Sequence, residues 1–329
     1  MKIERLAVIG GGAWGTALAQ AVAAHGGDTL LWALEEEIVA AVNADHCNPL
    51  FLPGVTLSPS ISATGDLRDL ESCDAWLVVT PAQHMRSVLS RAPRCGRPMV
   101  LCSKGIEERT GELLDKVARA ACPGGEIAVL SGPTFAHEVA AGLPTAVTLA
   151  CEDERIGEAL RDRIGHQAFR TYLTNDVIGA EIGGAVKNVL AIACGVVEGA
   201  GLGQNARAAL IARGFIEMTR FGTAFGARAE TLGGLSGLGD LVLTCTSTSS
   251  RNFSLGLGIG EGRPAAELLS NRRTVAEGAF TAPVLARLAR EKGIDMPIVQ
   301  SVDALVAGRT SVGQVLDALL SRPPKPEAV

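Results

Sequence analysis

The chain has 329 residues, 47% hydrophobic and 20% charged, enough for two domains or one large one and too apolar for a disordered chain. A formal net charge of -5 with no block of basic residues excludes a nucleic-acid footprint but leaves room for a local basic pocket for an acidic small molecule. No signal peptide and no membrane span are expected, since the opening residues enter a folded pattern at once and no apolar run looks long enough to cross a bilayer.

In chain order, Leu6–Ile9 is a short apolar run that ends in glycines, and residues 17–24 are rich in alanine and free of breakers, which predicts a strand and then a helix. Further strands are predicted at Thr29–Trp32, 75–79, 99–102 and 127–130. Leu113, Leu114, Val117, Ala118 and Ala121 repeat at helical spacing between the last two, and another strand pair is predicted at 146–150 and 169–172. These runs do not alternate, which suits strands buried on both faces of a parallel sheet covered by helices. After about Asp176 the texture changes. Ile182, Val186, Val189, Leu190, Ala193 and Val197 form a long helical stripe, and 208–221, 284–291 and 299–307 also predict helices. The expected architecture is an α/β, Rossmann-like doubly wound sheet over residues 1–180, an all-α substrate and catalytic domain over 181–322, and a loose tail at 323–329.

Gly10-Gly11-Gly12-Ala13-Trp14-Gly15 fits the G-x-G-x-x-G pattern. The pattern alone also describes an ordinary glycine-rich turn. Its place after a strand and before a helix is what points to a dinucleotide. Gly10 would allow the tight turn, Gly12 the approach of backbone to pyrophosphate, and Gly15 a close helix–strand contact. Glu35 follows the second strand, where a carboxylate can hold a ribose 2′-hydroxyl and repel a 2′-phosphate. NAD(H) is therefore the expected cofactor, with NADP(H) second. With Glu36 and Glu37, the same residue also fits a group of solvated acids at a helix start.

Eight motifs then appear in order: GGGAWGTALA from Gly10, NPLFLPGVTL from Asn48, VVTPAQ from Val78, SKGIE from Ser103, LSGPTFAHEVAAGLPTA from Leu130, GGAVKNVLAIACGVVEGAGLGQNARAAL from Gly183, GLSGLGDLVLTCTSTSSRN from Gly234, and VAEGAFTA from Val275. With these the chain resembles the bacterial-type glycerol-3-phosphate dehydrogenase [NAD(P)+] family along nearly its full length. The resemblance implies reversible reduction of dihydroxyacetone phosphate to sn-glycerol 3-phosphate for phospholipid synthesis, by a cytoplasmic homodimer. It departs from the family pattern in three places. Leu34 and Glu35 follow Trp32-Ala33 where members often carry arginine, Thr134 replaces the usual serine, and Val275 and Glu277 are separated by an extra-looking Ala276.

Reducing a ketone requires a proton source and an anchor for the rest of the substrate. Lys187 lies on a helix of small and apolar residues, where burial would make it a usable acid and base; the residues alone read rather as a lysine that snorkels to solvent. The resemblance implies that Lys187 is the catalytic acid/base. Asp240 follows the glycine-rich stretch 233–239 and reads either as a carboxylate that orients Lys187 or as a helix cap; Thr244 would add a hydrogen bond. Arg251 and Asn252 follow a run of Ser and Thr and read either as a phosphate clamp or as a capping stretch. Lys104, after the fourth strand, reads as a carbonyl-polarising group near the nicotinamide or as a surface lysine. Pro81 and Gln83 are expected to line the cofactor cleft.

The resemblance further assigns Lys104, Gly132, Thr134, Lys187, Asp240, Ser250, Arg251 and Asn252 to substrate. It assigns Gly10, Gly12, Ala13, Trp14, Gly15, Glu35, Lys104, Ala136, Arg251, Val275 and Glu277 to cofactor. The five histidines share no motif, and the eight cysteines form no CxxC pair or Cys/His cluster, so no metal is expected, the thiols are expected to be reduced, and Cys194 and Cys245 are expected in the core. Two other readings stay in play: a β-hydroxyacid dehydrogenase of similar architecture, and a non-catalytic NAD(H)-sensing protein.

Overall fold

The computed structural model describes residues 2–24, 26–94, 96–270 and 276–321. His25, Cys95, Val275 and the tail at 323–329 lie outside them. The chain divides into two compact units, Met1–Lys104 with Glu112–Glu181, and Gly105–Gly111 with Ile182–Val329.

The first unit is built on one eight-stranded sheet. Its strands are β1 Leu6–Ile9, β2 Thr29–Trp32, β3 Ile61–Thr64, β4 Ala75–Val78, β5 Met99–Leu101, β6 Ile127–Ser131, β7 Thr145–Cys151 and β8 Phe169–Thr174, in the order β3-β2-β1-β4-β5-β6-β7-β8. Chain order reverses beside β1, which makes the β1/β4 boundary the switch point where doubly wound sheets take ligands. Alternate residues feed two cores. Leu6, Val8, Leu31, Leu77 and Val100 pack on one face, and Ala7, Ile9, Trp32, Trp76 and Val78 on the other. Both faces are covered at β1, β2, β4, β5 and β6, so these strands read as unbroken apolar runs.

Two features depart from the sequence reading. The edge strand β3, Ile-Ser-Ala-Thr, was not anticipated, because only Ile61 is buried and the run carries no apolar pattern. The sheet is also not wholly parallel, since β7 runs antiparallel to β6 while β8 is parallel to β7.

The described part of the second unit contains helices and no strand. Its central element is the Val177–Gly199 helix, which belongs to this unit from Ile182 onward. At 23 residues and a mean hydropathy of 1.5 it is long and apolar enough to cross a membrane, which corrects the expectation that no run reaches that length. It carries Glu181, Lys187 and Glu198, and its most apolar stretch is 94% buried within the protein, as in a core helix. It meets the Arg251–Gly260 helix backbone to backbone. A Cβ at Gly195 would strike the carbonyl of Phe253, and one at Gly256 would strike that of Ile192. This contact fixes the lysine-bearing helix against the helix that opens with Arg251.

Candidate active site

The glycine-rich loop follows β1 directly, and the Ala13–Ala23 helix starts earlier than the alanine-rich stretch alone suggested. Gly10 has φ +131°, a left-handed value that side chains rarely adopt. A Cβ on Gly15 would collide with the Gly10 carbonyl, so this glycine is needed for the tight return of the helix over the turn. A Cβ on Gly12 would meet nothing within 4 Å. The loop is therefore open on that side, and Gly12 caps the helix with no side-chain bond. The cradle fits a pyrophosphate held by backbone amides at a helix start.

Glu35 stands half-buried three residues beyond β2 and caps the Glu36–Asp45 helix through its backbone, with no side-chain cap bond. Trp14 is half-buried on the helix that follows the loop.

Other predicted residues of the first unit gather at the carboxyl ends of β4, β5 and β6. Ser103 donates from Oγ to the Thr80 carbonyl at 2.5 Å, joining the ends of β5 and β4. Lys104 donates from Nζ to the Gly132 carbonyl at 3.1 Å, joining the ends of β5 and β6. This places the lysine at the ligand edge of the sheet, where a plain surface turn would not need such a bond. Thr134 donates to the same carbonyl at 3.3 Å, and Ala136 opens the short helix Ala136–Ala140. Gly132 faces β7 so closely that a Cβ would crowd Val147. Pro81 and Gln83 follow β4.

In the second unit, Lys187 does not snorkel. It is 6% exposed, and its Nζ donates to Asp240 Oδ1 at 2.5 Å and to Thr244 Oγ1 at 2.8 Å. Asp240 is wholly buried, and it begins the Asp240–Cys245 helix as its first residue with Gly239 at the cap position. Its carboxylate Oδ1 accepts from the lysine, as the orienting reading expects. A buried ammonium against a buried carboxylate, with a hydroxyl as third partner, is an arrangement in which a proton can be held at a defined atom.

Ser250 caps the Arg251–Gly260 helix, its Oγ accepting from the Phe253 N–H at 3.2 Å. The capping reading of this stretch, with an exposed arginine, is what the structure has: Ser250 caps the helix and Arg251 is exposed at its start. Asn252 is buried. Its Nδ2 donates to Asn188 Oδ1 at 3.0 Å and its Oδ1 accepts from Gly278 N–H at 2.9 Å, beside Glu277. Asn188, next to Lys187, was not singled out as a site residue; an amide side chain in a run of small and apolar residues was the available signal, and the structure buries it. Cys194 and Cys245 lie in the core, and burial pushes the Cys245 thiol well above its ordinary value.

Comparison with known proteins gives two family matches: the C-terminal model of NAD-dependent glycerol-3-phosphate dehydrogenase covers residues 176–317, and the N-terminal model covers 5–157. The chain belongs to the NAD-dependent glycerol-3-phosphate dehydrogenase family. Within it, the chain is 65% identical over 322 residues to glycerol-3-phosphate dehydrogenase [NAD(P)+] of Erythrobacter litoralis, covering 98% of this chain and 97% of that one. The protein of the same name from Caulobacter vibrioides is 55% identical over the full length of both chains. The crystal structure of the Coxiella burnetii glycerol-3-phosphate dehydrogenase superposes with a TM-score of 0.91 at 38% identity, covering 98% of this chain and 99% of that one. The protein is thus an NAD(P)-dependent oxidoreductase of this family.

Proposed function

We propose that the chain interconverts dihydroxyacetone phosphate and sn-glycerol 3-phosphate, with Lys187 as proton donor and acceptor. The observation that carries this reading is the buried Lys187–Asp240–Thr244 cluster in a member of this family. When bound, the nicotinamide supplies the hydride to the carbonyl carbon, or takes it back in the reverse direction. The Lys187 ammonium gives a proton to the substrate oxygen as that oxygen gains charge, and the resulting amine takes one back in the reverse direction. Asp240 and Thr244 orient the Nζ and favour its charged form.

In the second unit, Arg251 is suited to a bidentate grip on the substrate phosphate, with the helix-start amides and Asn252 and Ser250 beside it. In the first unit, Lys104, Gly132 and Thr134 are the substrate-binding candidates. Gly10, Gly12, Ala13, Trp14, Gly15, Glu35, Lys104 and Ala136 are the candidates there for cofactor; within the second unit the cofactor candidates are Arg251 and Glu277. On this reading residues 1–180 serve the cofactor and 181–322 the substrate and catalysis. Glu35 favours NAD(H) over NADP(H), because a carboxylate accepts from a ribose hydroxyl and repels a phosphate. A cytoplasmic homodimer that supplies glycerol 3-phosphate for phospholipid synthesis completes the proposal.

The test is oxidation of NADH and of NADPH by the purified protein with dihydroxyacetone phosphate, run in parallel. Turnover with a higher kcat/KM for NADH is expected. No turnover with either cofactor sinks the activity, and a clear NADPH preference sinks the role of Glu35.

A further inference from the structure

Asn48 belongs to a segment with no regular structure, which leaves the Glu36–Asp45 helix through His46 at φ 47° and reaches β3 at Ile61. Leu52 and Leu57 of this segment are buried in the core under the Ala13–Ala23 helix. Asn48 itself is wholly buried, yet every polar atom of its side chain is used. Its Nδ2 donates to the Gly11 carbonyl at 2.8 Å and to Thr16 Oγ1 at 2.8 Å, and its Oδ1 accepts from the Phe51 N–H at 3.1 Å. The Phe51 donor fixes which end of the amide is oxygen, so the two bonds to the loop are those of the NH₂ group. Thr16 in turn donates to the same Gly11 carbonyl at 3.3 Å.

The consequence follows from peptide geometry. The Gly11 carbonyl and the Gly12 N–H share one rigid trans plane and point in opposite directions. Holding the carbonyl inward, toward Asn48 and Thr16, therefore aims the Gly12 N–H the opposite way, away from Asn48, at a residue that is itself exposed. We propose that Asn48 is a positioning residue for the cofactor: it pins the Gly11–Gly12 peptide so that the loop amides are preset for the pyrophosphate of the dinucleotide. Asn48 touches neither substrate nor reacting atoms. Without it the Gly11 carbonyl would keep only the longer bond from Thr16 and the peptide could rotate more freely, so that binding would have to order it again. This inference rests on reading Gly10–Gly15 as the cofactor loop.

The test measures NADH affinity by fluorescence titration, together with kcat at saturating NADH and the KM for dihydroxyacetone phosphate, in wild type, Asn48→Ala and Thr16→Val. For Asn48→Ala the NADH Kd is expected to rise about tenfold, with kcat and the substrate KM held within about twofold. Thr16→Val, which removes the other donor to the same carbonyl, is expected to raise Kd in the same direction and serves alone if Asn48→Ala does not fold. Wild-type affinity in a folded variant overturns the proposal. So does a fall in kcat at saturating NADH as large as the loss of affinity, because that marks a general structural defect. A wild-type protein that fails to bind NADH would instead refute the cofactor reading of the loop, so the two failures are distinguishable.

Discussion

The Nζ of Lys187 lies 2.5 Å from Asp240 Oδ1, with both side chains withdrawn from solvent and Thr244 completing the contact. A buried ion pair is weak support for stability, because desolvating two charges offsets most of their attraction. Removing one partner, however, strands the other. Lys187→Met should lower kcat by about 10²–10⁴-fold while the NADH Kd stays within about twofold. Steady-state kinetics and a binding titration check it, and near-normal turnover would end the assignment of Lys187.

Asp240→Asn keeps shape and hydrogen bonding but removes the charge. An ammonium without its carboxylate gives up its proton more readily, and oxidation of glycerol 3-phosphate needs the free amine, so the acid limb of the pH–rate profile for that direction should move to lower pH. A profile superimposable on that of wild type would show that Asp240 does not act on the lysine electrostatically.

Arg251 is exposed at the start of its helix, next to the capping Ser250. Losing a charge-assisted, two-point contact to phosphate should raise the KM for dihydroxyacetone phosphate by about tenfold or more in Arg251→Ala. Activity on unphosphorylated dihydroxyacetone should change little. Equal losses on both substrates would show that the arginine acts elsewhere.

Glu217 is buried in the Gly203–Ala224 helix and accepts from the N–H groups of Ile298 (2.8 Å) and Val299 (3.2 Å) at the start of the Pro297–Val306 helix. Burial dominates over these bonds and over Arg220, and pushes its carboxyl up to about 7 from 4.5. A raised carboxyl holds its proton better in the folded protein than in the unfolded chain. Its contribution is therefore full below about pH 4.5 and is lost as pH rises toward 7, by an amount on the order of 3 kcal/mol. Glu217→Gln cannot titrate, so its unfolding free energy should fall less steeply than that of wild type between these pH values. Urea denaturation across that range checks the slope, and parallel curves would contradict the shift.

Arg163 is 8% exposed and donates to three backbone carbonyls, those of Glu4 (3.2 Å), Val22 (3.0 Å) and Asp28 (3.3 Å). No single ammonium can match that planar fork. Arg163→Lys should cost about 1–3 kcal/mol of stability, since the buried bond to the Val22 carbonyl and the two part-buried bonds cannot all be kept by one ammonium. Unchanged thermal unfolding would show that water replaces the lost donors.

By itself the sequence determined the strands buried on both faces, the glycine fingerprint after β1, the helical second half and the family. Each of these rests on a short-range pattern or a local motif, and neither depends on what folds against it. The edge strand β3 escaped because one buried residue in four leaves no period to read. The antiparallel turn of β7 escaped because strand direction is set by the connection and not by composition. For Lys187 the residues alone allowed a solvated head as well as a buried one. The tertiary structure decided between them by bringing Asp240 and Thr244, more than fifty residues away, to its ammonium. The same holds for Asn48, which bonds to Gly11 across 37 residues of chain. Side-chain contacts between distant segments depend on packing, and packing is fixed only when the whole core closes.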